Sequence, residues 1–252
     1  MGPLKRGAGA IGTGAWLIGR AGRGVWRSAW AGDPLAQRNL ATALAIFLWR
    51  PLMTLLPLAA LAGIIAGIAA ARLLDLYRAE LLVMDGLVRA LLRDVFPLVV
   101  GTFASGSVSV ALSARLGAMS LNREVDALET MGLDPVTLIL SPSLAAILVA
   151  APAHMFGAGA AALFTCGFLL HVSAQIGWHD YGLIALSSGA ASALLTGMMK
   201  AIVFALIAFA VGATVGARPA RTPADIGRRA TRAFTSGLLG IFAAAALWTA
   251  LA

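Results

Sequence analysis

Eleven acidic side chains occur in 252 residues, and Glu124, Asp126, Glu129 and Asp134 all sit in the stretch SLNREVDALETMGLDPV at 120–136. No carboxylate pair or catalytic triad stands out among them, so their spacing has to be read for contact rather than for acid–base chemistry. Leu121, Val125 and Leu128 recur at i, i+4 and i+7, which is one face of a helix. Ser120 or Asn122 can cap its start, Gly132 suits the position just past its end, and Asp134-Pro135 stops any continuation. The pattern predicts a helix of roughly ten residues with its acids turned away from the apolar stripe. An acidic face is a poor partner for an anionic leaflet. It suits either bulk solvent or a basic groove on a soluble protein.

Three further charges invite a chemical reading. Lys200 stands in the middle of an apolar run, and Arg93 and Asp94 stand at the edge of another. A charge at bilayer depth costs at least about 2.5–3.5 kcal/mol, so such residues usually line a cavity or pathway. The bland readings are a local interfacial pair for Arg93 and Asp94, and a snorkelling side chain for Lys200. His154, His171 and His179 have no ligand-like spacing, although Asp180 adjoins His179. The single cysteine, Cys166, lies in an apolar run and reads as a small core residue. No G-x-x-x-x-G-K-[ST] phosphate loop is present, so ATP hydrolysis of that kind would belong to another polypeptide. The chain itself is expected to carry no cofactor and no metal.

The elements that must position these residues follow from composition. The sequence is 60% hydrophobic and 12% charged, whereas a soluble domain is about half apolar and a quarter charged. The bilayer is therefore the expected solvent. The net charge of +8 comes from basic residues outside the apolar runs. That placement fits lipid headgroups and topology control rather than nucleic acid. About 20 apolar residues cross the hydrocarbon, and five stretches qualify: 51–71, 95–114, 135–175, 181–217 and 233–252. Pro142 and Pro152 mark starts or kinks in the third. If the second helix begins near Leu81, Arg93 and Asp94 fall inside it.

Lysine and arginine orient the spans. Seven lie in 1–50, two in 115–136 and five in 218–232, against four in 72–94. The N-terminus and the acidic segment are therefore expected in the cytoplasm and the C-terminus outside. Residues 1–50 do not resemble a signal peptide, because glycines break the apolar run and arginines follow it. Ile11, Ala15, Ile18 and Val25 share one helical face, with Arg20, Arg23 and Arg27 on another and Trp16, Trp26 and Trp30 suited to the headgroup level. This reads as a basic amphipathic helix on the cytoplasmic surface. The expected fold is all-α: an N-terminal segment 1–50, then a transmembrane domain 51–252 with a short cytoplasmic helix near 120–134.

The stretch REVDALETMGLDPV resembles the signature of MlaE-type (YrbE-type) permeases, the membrane subunits of lipid-transporting ABC systems. Val125, Asp126, Ala127, Leu128, Glu129, Met131, Gly132, Asp134, Pro135 and Val136 carry the match. RDVFPLV at 93–99, Asp180, the run around Lys200 and the loop 218–232 extend it over roughly 40–250. The resemblance implies that Asn122, Glu124, Val125, Asp126, Leu128, Glu129, Met131 and Asp134 form a coupling helix docked on a cytoplasmic ATPase, which holds ATP and magnesium. It implies that Arg93, Asp94 and Lys200 lie near a lipid cavity, where they contact or gate a headgroup. It also implies a homodimer in a bacterial inner membrane, a periplasmic MCE-domain carrier and, in some systems, a small STAS-type subunit.

The sequence departs from that family at SGSVSVA in the second span, which lacks the usual arginine, and at Pro142-Ser143, where Pro-Arg is usual. Gly101, Ser105, Ser109 and Ser113, spaced by four, make a nearly flat helix face. Gly63 and Gly67 make another. Internal packing and a dimer interface are both open for these faces. Two rival functions also stand: an ion- or proton-coupled carrier using Arg93, Asp94 and Lys200, for which no internal repeat is evident, and a scaffold whose acidic helix recruits a soluble partner.

Overall fold

The computed structural model describes the backbone of residues 9–31, 34–77 and 80–251. It contains α1 (Gly9–Ala31), α2 (Pro34–Leu44), α3 (Arg50–Tyr77), α4 (Glu80–Ala90), α5 (Phe96–Ala104), α6 (Val110–Leu121), α7 (Glu124–Thr130), α8 (Ser141–Ala174), α9 (Trp178–Ala185), α10 (Ser188–Gly216) and α11 (Pro223–Leu251). No strand occurs among the described residues. Four π-helical segments, Ala45–Trp49, Leu91–Val95, Ser105–Ser109 and Val136–Leu140, interrupt the longer helices. Three of them end two residues before a proline: Pro51, Pro97 and Pro142. A proline ring clashes with the carbonyl four residues back and has no N–H to give it. One wider turn moves that carbonyl aside without ending the helix. Pro57 and Pro152, by contrast, sit inside α3 and α8, which run on through them.

Five helices are long and apolar enough to cross a membrane: Arg38–Leu74, Met84–Leu121, Leu138–Ala174, Gly189–Gly216 and Pro223–Leu251. The number agrees with the sequence reading, but several ends move. The second span starts at Met84 rather than near 95, so Arg93 and Asp94 belong to it. The fourth starts at Gly189, because the Leu186–Ser187 turn separates α9 from α10, and the Ser187 hydroxyl accepts from the Ala190 N–H at 3.2 Å. The fifth starts ten residues earlier than its charge-free stretch. Its beginning carries one half of a capping box, in which the Asp225 carboxylate accepts from the Thr222 N–H at 2.9 Å. Pro223 occupies the first helical position, where a missing N–H costs nothing.

The chain divides into two compact units, one of Met1–Trp49, Gly101–Ala150 and Val203–Ala252, the other of Arg50–Val100 and Ala151–Ile202. In the second unit α3 lies close against α8. A Cβ at Gly63 would land on the Ala162 carbonyl and the Thr165 hydroxyl, and Gly67 faces the Cys166 carbonyl and Leu169. Thr165 donates across this contact to the Ala60 carbonyl at 2.9 Å. The Gly63–Gly67 face is thus used for internal packing, as small residues allow. Cys166 is fully buried in a cluster with Ala70, Leu74, Met84, Leu170 and Tyr181. The Tyr181 hydroxyl donates to the Leu163 carbonyl at 2.8 Å, and burial pushes its phenol well above the usual range.

In the first unit the Gly101–Ser113 face is also covered by the chain itself. Ser105 donates to the Phe234 carbonyl at 2.9 Å and Ser109 to the Ala208 carbonyl at 2.8 Å. Gly212 and Gly216 meet Ser109 and Leu116, and Gly237 meets Ser105. Helix α1 forms despite its glycines, and of its expected stripe Ile18 and Val25 are half-buried. Leu17 and Ala21 are buried, with Gly14 against Ala210 and Thr214, while Ala15 is exposed. This face meets α10 at Gly14, where the absent side chain lets the two helices approach. The side chains of Ile11, Trp26, Arg27, Trp30 and Leu81 lie outside the described ones.

Candidate functional site

Lys200 is 5% exposed, so its ammonium must find partners inside the second unit. It donates to Asp94 Oδ1 at 2.6 Å and to the Arg93 carbonyl at 3.0 Å. The proline four residues beyond Arg93 explains the second bond. Pro97 has no N–H to offer that carbonyl, so an outside donor is needed. The neighbouring Leu92 carbonyl is displaced in the same way, because the Phe96 N–H that would serve it bonds to Leu91 in the π turn. The Leu92 carbonyl lies against Gly197, where a Cβ would strike it. Proline, π turn, glycine and lysine therefore form one local solution. A widened turn exposes two carbonyls, Gly197 makes room for one, and Lys200 binds the other.

The three intramembrane charges expected to work together do meet, but unequally. Asp94 meets Lys200 through its carboxylate and remains 52% exposed at the side chain. Arg93 contributes its main-chain oxygen while its side chain is exposed. Lys200 does not snorkel along its own helix. Its hydrocarbon stem and charge are both buried, and the charge is delivered to an acid whose other side is open. The arrangement can hold a half-exposed carboxylate in place and offer it, with the nearby Arg93, to a zwitterionic or charged group.

The acidic segment forms a separate small structure in the first unit. Helix α6 ends at Leu121, Arg123 takes a left-handed φ of 59°, and α7 runs only from Glu124 to Thr130. The expected stripe of Leu121, Val125 and Leu128 therefore spans two helices, because the turn at Arg123 breaks the register. Neither expected cap acts as one. Asn122 Nδ2 donates to Glu124 Oε1 at 3.1 Å, and the Ser120 hydroxyl accepts from the Ala220 N–H at 3.1 Å. The C-terminal reading holds. Gly132 adopts φ +73°, with Leu133 N–H bonded to the Leu128 carbonyl and Gly132 N–H to the Glu129 carbonyl, which is a Schellman motif. A Cβ at Gly132 would meet nothing within 4 Å. Gly132→Ala is therefore expected to lower stability by about 1 kcal/mol through backbone conformation alone. A denaturation midpoint in detergent checks this.

Glu124, Ala127, Leu128 and Met131, at i, i+3, i+4 and i+7, line a groove of about 420 Å³ together with Thr42, Arg115, Met119 and Leu138. Asp126 and Glu129 are exposed on the opposite face, and Val125 is half-buried. Asp134 forms an ion pair with Arg20 of α1 at 3.1 Å. The sequence showed the acids but could not sort them: one lines the groove, two face outward and one ties back to the N-terminal helix. The Arg20 contact was missed because no local pattern links residues so far apart.

The histidines lie apart. His154 is buried, His171 Nδ1 is 2.8 Å from the Ile176 carbonyl, and His179 is exposed beside Asp180 at 3.4 Å. Among the described residues no group of three His, Cys, Asp or Glu side chains converges as a metal site would require.

Comparison with known proteins adds a family match and a relative. A probable ABC transporter permease protein of Rickettsia typhi is 28% identical over 76 residues, which span 30% of this chain and 29% of that protein's length. The family described as Permease MlaE matches residues 41–251. That match takes in four membrane-length helices whole and the first from residue 41, with the Asp94–Lys200 pair and the α7 segment. With these features at the places the REVDALETMGLDPV stretch suggested, the chain belongs to the MlaE permease family.

Proposed function

We propose that the chain is the membrane subunit of an ATP-driven ABC transporter that moves phospholipids or related lipids between a bacterial inner membrane and a periplasmic carrier. The observation that carries this reading is α7, a short capped helix between the second and third spans with Asp126 and Glu129 turned outward. Such a helix is suited to receive motion from a soluble partner. The absence of a phosphate loop from the sequence assigns ATP binding to that partner. Two copies of the chain would form the channel, and the carrier would be an MCE-domain protein on the face opposite α7. A small STAS-type subunit would join on the cytoplasmic side. The N-terminus and α7 face the cytoplasm by the distribution of basic residues. Asp94, held by Lys200 yet half exposed, would contact or gate a lipid headgroup.

The Asp94–Lys200 pair is also the observation that favours a second reading, an ion- or proton-coupled carrier. Purification in mild detergent separates the two. The first reading expects an ATPase to co-purify with the chain. It also expects the double charge reversal Asp126→Lys, Glu129→Lys to weaken that association more than about tenfold, because like charges would then face each other across the contact. Transport by the chain alone, with no ATPase bound, would instead establish the carrier. Retained binding by the reversed variant would remove the outward face of α7 as the contact.

A further inference from the structure

Helix α7 buries none of its residues, so its own packing cannot fix where it stands. Its N-terminal end is joined to α6 through the tight turn at Arg123. Its C-terminal end passes through Gly132 at φ +73° and an exposed Leu133 before the next helix begins. The side-chain tie at this end is Asp134, 3.1 Å from the Arg20 guanidinium. Arg20 is itself oriented, because its guanidinium lies 5.1 Å from the centre of the Trp16 ring, a cation–π geometry. The helix carrying both residues is anchored by buried Leu17 and Ala21 and by the close approach of Gly14 to Ala210. α1 also packs against the segment Val136–Leu140 that follows Asp134.

We infer that α1 is a strap that sets the position of the 124–134 segment, with Arg20 as the positioning residue. The role of the segment as a lever rests on the function proposed above, but the strap does not. An anchored helix holds the exposed end of a helix that lacks a fully buried residue of its own. Motion of α1 therefore reaches α7 through this ion pair together with the packing of α1 on Val136–Leu140. The pair is about one-third exposed on both sides, so it is weak enough to open and re-form. This is what a tie on a moving part requires, in contrast to a permanent staple.

Hydrogen exchange of the full chain in lipid nanodiscs tests the strap without any partner. Arg20→Gln is expected to raise exchange of the 124–134 amides about two- to fivefold, the range of a partly exposed ion pair. Asp134→Asn should do the same. The swap of Arg20→Asp with Asp134→Arg should restore protection, and high salt should raise exchange in the unaltered chain but not in Arg20→Gln. Unchanged exchange in both single variants, or no rescue by the swap, overturns the strap. With the ATPase added, Arg20→Gln is expected to keep the ATPase bound while lowering lipid moved per ATP. Raised exchange with an unchanged ratio would uphold the strap and overturn the lever reading.

Discussion

Asp94→Leu is expected to destabilise the folded chain by about 2–3 kcal/mol, and Lys200→Met by only about 1 kcal/mol. The asymmetry follows from burial. Asp94 is 52% exposed and Lys200 6% at their side chains. Removing the acid takes the counter-charge from an ammonium in the interior, which keeps its bond to the Arg93 carbonyl. Removing one member of a fully buried pair costs about 3–5 kcal/mol, and the openness around Asp94 brings the figure down. Removing the lysine leaves a carboxylate that is half exposed rather than enclosed, and methionine refills the volume of the stem. The loss is then roughly one hydrogen bond at the Arg93 carbonyl. The double variant should be more stable than Asp94→Leu alone, since no charge is stranded. Unfolding by SDS titration in mixed micelles measures all three. A larger loss for Lys200→Met than for Asp94→Leu, or strict additivity in the double variant, would mean that the pair is not arranged as described.

Gly197→Ala should be strongly damaging, as Gly63→Ala should be at the other close approach in the second unit. In an open helix position alanine is favoured over glycine by about 1 kcal/mol. Here the added Cβ would strike the Leu92 carbonyl and lie 2.8 Å from the Met155 methyl and 3.2 Å from Pro97 Cγ. The methionine can move, but the carbonyl belongs to a backbone already widened to accommodate Pro97. The expected outcome is a loss of about 2–3 kcal/mol, or failure to fold, where overpacking normally costs about 1–3 kcal/mol. Gly227→Ala in α11 is the matched control: nothing lies within 4 Å of its Cβ position, so a gain of about 0.5–1 kcal/mol is expected. The same shift of the Leu92–Arg93 backbone would pull Asp94 from Lys200, so Gly197→Ala should also lower transport in whatever fraction folds. Equal thermal midpoints for Gly197→Ala and the unaltered chain would refute the close approach.

The number and rough location of the spans were legible in the sequence because hydrocarbon demands long apolar runs, and such runs are a local property. So was the end of α7, because only a residue such as Gly132 takes a left-handed backbone at little cost. Charge-free length was a poor guide to where helices begin. The second span carries Arg93 and Asp94 inside it because Lys200 supplies a partner from another helix. The fifth begins among arginines because Thr222, Pro223 and Asp225 form a local start signal that an emphasis on apolar length passed over.

Chain composition and short motifs determined by themselves that this is an all-helical membrane protein of the permease kind, with an acidic turn between its second and third spans. Tertiary structure alone decided which acids face outward, which one Arg20 holds, which face of α1 is buried, and that the small-residue faces at Gly63–Gly67 and Gly101–Ser113 serve the chain's own packing. The physical reason is one of range. Hydropathy and turn preference act over a few neighbouring residues, whereas an ion pair such as Arg20–Asp134 or a glycine fitted to a distant carbonyl exists only after the helices have met.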